Sequence, residues 1–172
     1  MSEIDRMLEA NDRYVAGFTA GGRPMPPARH VAILTCMDAR IHPAKALGLD
    51  VGDAHVIRNA GGRASDDAIR SLIISSRLLG TTEFAVIHHT DCGMLTFSND
   101  DLRAKLAAEA GTDASDIDFL PFGDLAQSVR DDVHTILDTK HLDDAISVSG
   151  YIYDVNTGKV ETVVPATTRA TA

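Results

Sequence analysis

The chain has only two cysteines, Cys36 and Cys92, and each has companions that bear on its chemistry. Cys36 opens the stretch Cys36-Met37-Asp38-Ala39-Arg40, and Cys92 closes His89-Thr90-Asp91-Cys92. Two thiolates and one imidazole are a known zinc ligand set that leaves a fourth position for water, the arrangement of catalytic rather than structural zinc. Cys36 and His89 stand more than fifty residues apart, so they cannot form a compact finger, and the fold itself must bring them together. Spacing alone leaves a second reading open, in which both thiols are buried apolar-like core residues. Asp38 and Arg40 also admit two readings. They are either a surface ion pair worth about 0 to 1 kcal/mol or, beside a metal, a guanidinium that grips the carboxylate bidentately and keeps it off the open position.

These residues fall at the ends of elements that the pattern of the chain predicts. His30 to Cys36, Asp53 to Arg58 and Glu83 to His89 are short apolar runs suited to strands buried on both faces. Cys36 and His89 then end the first and third of these, with Cys92 just beyond. If the second strand lies outside the first and the third on its other side, both ligand-bearing ends flank the switch point where open α/β sheets bind ligands. Between the strands, Ser65 caps a predicted helix carrying Ala68, Ile69, Leu72, Ile73, Ser76 and Leu79, with Asp66 and Asp67 in its first turn and Gly80 as terminator. Asn99 to Ala110, stopped by Gly111, and Asp124 to Thr139 read as further helices, each with a side facing the core. Ile146 to Tyr153 and Lys159 to Val164 bracket Asn156-Thr157-Gly158 and predict a strand pair closed by a glycine turn. Ahead of all this, Ile4, Met7, Leu8, Val15 and Phe18 trace an amphipathic helix over 4–18, and the Gly- and Pro-rich segment 21–29 breaks it. The expected fold is α/β: a three-layer sandwich around a mainly parallel β-sheet, with an N-terminal helix arm. At 172 residues it is expected to be one domain, with 1–29 as arm and linker, 30–164 as core and 165–172 as tail.

Charge narrows the partners. With 25 acidic against 16 basic residues the net charge is -9, which repels phosphate backbones and anionic headgroups, so neither nucleic acid nor membrane is an expected partner. The opening residues lack the apolar core of a signal peptide, and no later run approaches bilayer-spanning length, which predicts a cytoplasmic protein.

Cys36-x-Asp38-x-Arg40 followed by His89-x-x-Cys92-Gly93 is similar to the paired signature of the β-class carbonic anhydrases. Arg58-Asn59-Ala60-Gly61-Gly62 resembles the family's segment after the second strand, and the match covers roughly residues 30 to 97. The resemblance implies zinc held by Cys36, His89 and Cys92, and an Asp38-Arg40 dyad. It implies hydration of carbon dioxide to bicarbonate by zinc-bound hydroxide, and a homodimer or dimer of dimers in which the N-terminal helix embraces the partner. Relatives of the family hydrolyse carbonyl sulfide or carbon disulfide with the same ligands, so a hydrolase of that kind is the alternative. A non-catalytic zinc-binding protein is a further one. The chain has no Trp, whereas some bacterial members place one in a regulatory bicarbonate site where Ile33 stands here. His88 competes with His89 as a ligand, but only His89 has the family's spacing to Cys92, and neighbouring strand residues point oppositely. His30, His42, His55, His134 and His141 have no motif context and receive no role. Gly61 and Gly62 are expected to permit a tight turn close to the site, with Asn59 as a support. Thr157-Gly158-Lys159 lacks the rest of a phosphate loop and reads as the hairpin turn.

Overall fold

A computed structural model describes residues 1–171; Ala172, the last residue of the expected tail, lies outside them. Five strands form one sheet: β1 (Val31–Cys36), β2 (Ala54–Asn59), β3 (Glu83–His89), β4 (Ser147–Tyr153) and β5 (Val160–Thr167). Their order is β2-β1-β3-β4-β5. The first four pair in parallel and β5 runs antiparallel to β4. The apolar runs of β1 and β3 lie at the centre and are buried on both faces, as their lack of alternation requires. β2 and β3 lie on opposite sides of β1, which creates the expected switch point.

Five α-helices accompany the sheet: α1 (Glu3–Ala16), α2 (Pro43–Leu47), α3 (Asp66–Leu79), α4 (Asn99–Ala110) and α5 (Leu125–Leu137). Ser65 caps α3 by accepting from the Ala68 amide, and Gly80 ends it in the left-handed conformation. Asp124 caps α5 in the same way, accepting from Gln127. Both helices cover one face of the sheet, where Ala68, Leu72, Val133 and Ile136 bury Leu34, Phe84, Val86 and Val148. The short α2 lies over the other face. Beside it an apolar groove of about 260 Å³ stays open, lined by Val31, Ile33, Leu47, Ala85, Ile87 and Tyr151 among others. Ile33 is thus part of an apolar sheet face.

Three expectations are corrected. α4 buries no residue, because its apolar positions amount to Leu102 and Leu106, both half-buried, and alanines complete the face. The expected tail is partly strand: β5 continues to Thr167, which pairs with Val148, and Pro165 is tolerated because β5 is an edge strand. The N-terminal helix stops at Ala16, two residues early. Its apolar residues Ile4, Met7, Leu8 and Val15 are all exposed, so this helix is an arm whose apolar face is left uncovered by the described residues. No helix of the described residues is long and apolar enough to cross a membrane.

Candidate metal centre

Pairing of β1 with β3 ends at Thr35↔Ile87, one residue before Cys36, while Cys36 still pairs with Asn59 of β2. The two strands part there, and the gap between their carboxyl ends is filled by side chains. Cys36, His89 and Cys92 meet in it, all buried, with their donor atoms within 4.8 Å of one another. No other such cluster of His, Cys, Asp and Glu occurs among the described residues. Ile41 and Met94 wall the two cysteines from water, with Phe97, Phe122 and Tyr153 packed outside them.

Hydrogen-bond bookkeeping fixes which imidazole nitrogen is free. His89 Nδ1 lies 2.9 Å from the Thr90 carbonyl oxygen, which can only accept, so Nδ1 carries the proton. In the neutral imidazole Nε2 then presents a lone pair. It is buried without a hydrogen-bond partner among the described residues, and an orphan acceptor of that kind facing two thiols suits a metal ion. The thiols are themselves prepared. Donation from the Cys92 thiol, opposed by burial and helped by His89 and by the Asp38 and Gly61 amides, lowers the Cys36 pKa to about 4. The same sharing, together with burial, pushes the Cys92 pKa up. For His89, burial lowers the pKa, but hydrogen bonding and charge at Cys36, with the Thr90 carbonyl and the Asp38 carboxylate, together outweigh it and the net shift is upward. A thiolate beside a second thiol and a free imidazole nitrogen is the donor chemistry that zinc takes, so the residues fit that ion.

Asp38 lies beside this cluster, its Oδ2 3.9 Å from His89 Nε2. Arg40 holds it in a fork, Nε donating to Oδ1 at 3.0 Å and Nη2 to Oδ2 at 2.8 Å, while the Arg40 amide donates to Oδ1 at 2.8 Å. Those bonds keep the carboxyl well below the usual carboxylate range. The structure therefore brings together all five residues that the motifs single out. The turn after β2 supports them from below. Gly62, at φ +70°, lies so close to β1 that a Cβ there would stand 2.9 Å from the Cys36 nitrogen and the Thr35 carbonyl carbon. Asn59 closes that turn by accepting from the Arg63 amide and donating to its carbonyl, which is the supporting role expected of it.

His88 faces away from the cluster. Its Nδ1 bonds the Ser128 hydroxyl at 2.8 Å and its Nε2 lies 3.0 Å from Asp132, both on α5. Arg63 completes this buried group by donating to Asp132 at 2.8 Å. His42 caps α2, His30 and His55 bond the Gly80 carbonyl and Ser75, and Gly158 closes the β4–β5 turn.

A family model described as carbonic anhydrase matches residues 31–116. A β-carbonic anhydrase of Mycobacterium tuberculosis is 44% identical over 167 residues, spanning 96% of this chain and all of the relative. The chain belongs to the β-carbonic anhydrase family. A carbon disulfide hydrolase of Saccharolobus solfataricus is 34% identical over 91% of this chain and 87% of its own. The solved carbonic anhydrase of Streptococcus mutans superposes with a TM-score of 0.92 at 49% identity, covering 95% of this chain and 98% of that one.

Around this β-carbonic anhydrase centre, contacts appear that the sequence pattern does not single out. Arg58 donates to the Cys36 carbonyl at 3.0 Å and to the Asp38 carbonyl at 2.7 Å, clamping the loop between ligand and carboxylate. Arg40 also donates to the Asp91 side chain and carbonyl. Only the motif order Arg58-Asn59 hints at the first, and nothing in the spacing announces the second, because both depend on where two loops come to rest.

Proposed function

We propose that this chain hydrates carbon dioxide reversibly to bicarbonate, with zinc held by Cys36, His89 and Cys92 and with Asp38 and Arg40 as the working pair. The observation that carries this reading is the buried, unpartnered His89 Nε2 between two thiols, with a carboxylate held beside it by a guanidinium. Zinc held there would act as a Lewis acid that lowers the pKa of water from about 16 toward neutrality and would so supply hydroxide, though two thiolates would leave that water less acidic than three histidines do. The chain does the rest. His89 Nδ1 donates to the Thr90 carbonyl, which fixes the ring and keeps Nε2 directed at the cysteines. Asp38 accepts a hydrogen bond from the attacking oxygen and points its lone pair at the carbon of the substrate. With its pKa held so low, this carboxylate orients the nucleophile without taking its proton. Arg40 keeps Asp38 from swinging in to become a fourth ligand. The apolar wall of Ile41, Met94 and Phe97 suits a small linear uncharged substrate.

The carbon disulfide hydrolase relative favours a second reading, hydrolysis of carbon disulfide or carbonyl sulfide at the same centre. All three substrates are heterocumulenes attacked at carbon, and one or two pocket side chains can choose among them by about 1 to 3 kcal/mol. Stopped-flow carbon dioxide hydration and hydrogen sulfide release, measured on one zinc-loaded preparation, separate the readings. Hydration is expected to be the more efficient, and fast sulfide release with weak hydration would promote the hydrolase. A protein that binds zinc fully yet catalyses neither reaction from about pH 6 to 9 would be the non-catalytic alternative, in which Asp38 closes the coordination sphere. We also propose a homodimer or dimer of dimers in the cytoplasm. The exposed apolar arm of α1 and the open groove on the sheet suit a second copy, and light scattering on the eluting protein tests it.

A further inference from the structure

Arg40 is gripped from two sides. Its Nε and Nη2 fork faces Asp38 on the loop after β1, while Nη1 donates to Asp91 Oδ2 at 2.6 Å and Nη2 to the Asp91 carbonyl at 2.9 Å. Asp91 sits between His89 and Cys92, so this one guanidinium ties the loop of the first cysteine to the loop of the other two proposed ligands. Asp91 has φ +54°, one of three non-glycine residues with positive φ among the described residues. That left-handed backbone turns both its carbonyl and its carboxylate toward the same guanidinium, and Asp and Asn are the side chains that tolerate it best.

A guanidinium is planar, so fixing one edge aims the other. The Arg40 side chain is 45% exposed, and among the described residues its hydrogen bonds go to Asp38 and Asp91 alone. Without Asp91, Arg40 would meet Asp38 at the end of a long, freely rotating stem, and water would compete for both. We propose that Asp91 is a positioning residue for the reaction: it holds Arg40 in the one orientation that keeps both Asp38 oxygens bonded and so keeps the carboxylate from closing on the metal position. This rests on the reading of Asp38 and Arg40 given above. An ordinary surface ion pair makes a different claim, since it would leave the order of Arg40 and the rate unchanged.

The Asp91 side chain is 76% exposed, so its removal spares the core. Asp91→Gly removes the carboxylate and relieves the left-handed backbone, while Asp91→Asn keeps an acceptor in a residue that accepts that backbone. In the metal-free protein, the Arg40 Nε–H is followed by nitrogen-15 NMR, its signal assigned by its loss in Arg40→Ala. Asp91→Gly is expected to speed exchange of that proton about fivefold, and Asp91→Asn to recover most of the difference. In the zinc-loaded protein, Asp91→Gly is expected to lower carbon dioxide turnover about fivefold at full zinc content, with rescue by Asn. Unchanged Nε–H exchange in Asp91→Gly overturns the proposal. So does native turnover of Asp91→Gly when Arg40→Ala is slow, even with exchange altered. If the zinc-loaded wild type fails to hydrate carbon dioxide, the functional reading falls on that result, and the exchange comparison alone decides Asp91.

Discussion

Replacing Gly62 by alanine tests how the turn after β2 positions the first cysteine. A Cβ at this position would lie 2.9 Å from the Cys36 nitrogen, 2.9 Å from the Thr35 carbonyl carbon and 3.1 Å from the Thr35 Cα. All three are backbone atoms of a central strand, and none can rotate away as a side-chain tip can. Relief requires the turn and β1 to separate by about half an ångström, an overpacking that costs about 1 to 3 kcal/mol. The left-handed backbone at φ +70° adds about 1 kcal/mol for any residue with a Cβ. Gly62→Ala should therefore lose about 2 to 4 kcal/mol of stability in the metal-free protein. Two other glycines separate the causes. Gly111, at φ +64° with nothing within 4 Å, has the backbone cost alone, and its alanine variant should lose about 1 kcal/mol. Gly93 has neither, and Gly93→Ala should stay within about 0.5 kcal/mol. A shift of β1 by half an ångström also exceeds the ~0.2 Å tolerance of metal–ligand distances, so zinc affinity should fall at least about tenfold in Gly62→Ala alone. Urea unfolding of the three variants and zinc competition with a chromophoric chelator provide the measurements. Should Gly62→Ala match Gly111→Ala in stability and the wild type in zinc affinity, the proposed close support of Cys36 would be wrong.

Three further outcomes follow from the centre itself. Cys92→Ala should lower zinc affinity by more than about 100-fold and abolish turnover while circular dichroism stays native, because the sheet core of Leu34, Phe84 and Val86 does not involve the thiol; full zinc content in that variant would remove Cys92 from the ligand set. Arg40→Ala should keep zinc yet turn over at least about 30-fold more slowly, since Asp38 is then free to take the open position, and a native rate would reduce the fork to a surface pair. In the metal-free protein the thiolate absorbance near 240 nm should be that of one thiolate at neutral pH. The depressed Cys36 pKa means that this signal disappears only as pH falls through about 4, while the raised Cys92 pKa delays the second ionisation to strongly alkaline pH. Both thiols titrating together near 9 would contradict that sharing.

Local signals carried most of the fold. Unbroken apolar runs gave β1 and β3, since a strand buried on both faces needs no alternation, and Ser65 with Gly80 marked both ends of α3 because caps act within one turn. Where a segment lacks a strong pattern, its burial is not legible in the sequence. Two leucines four apart look like a core-facing stripe, but whether they are covered depends on what packs nearby, and α4 has little.

The cysteines stood out because the chain has only two, whereas His89 was singled out among seven histidines by its resemblance to the family's spacing to Cys92. Strand alternation by itself would have been misleading here. Continued pairing of β1 and β3 would set Cys36 opposite His88, and only the parting of the strands after Thr35↔Ile87 frees Cys36 to meet His89, while His88 turns to Ser128 and Asp132 on α5. The grip of Asp91 on Arg40, the clamp of Arg58 and the contact of Gly62 with β1 are likewise tertiary facts. Each joins residues about 20 to 50 positions apart, and no periodicity encodes such a meeting, because it is fixed by where loops settle once the sheet has formed.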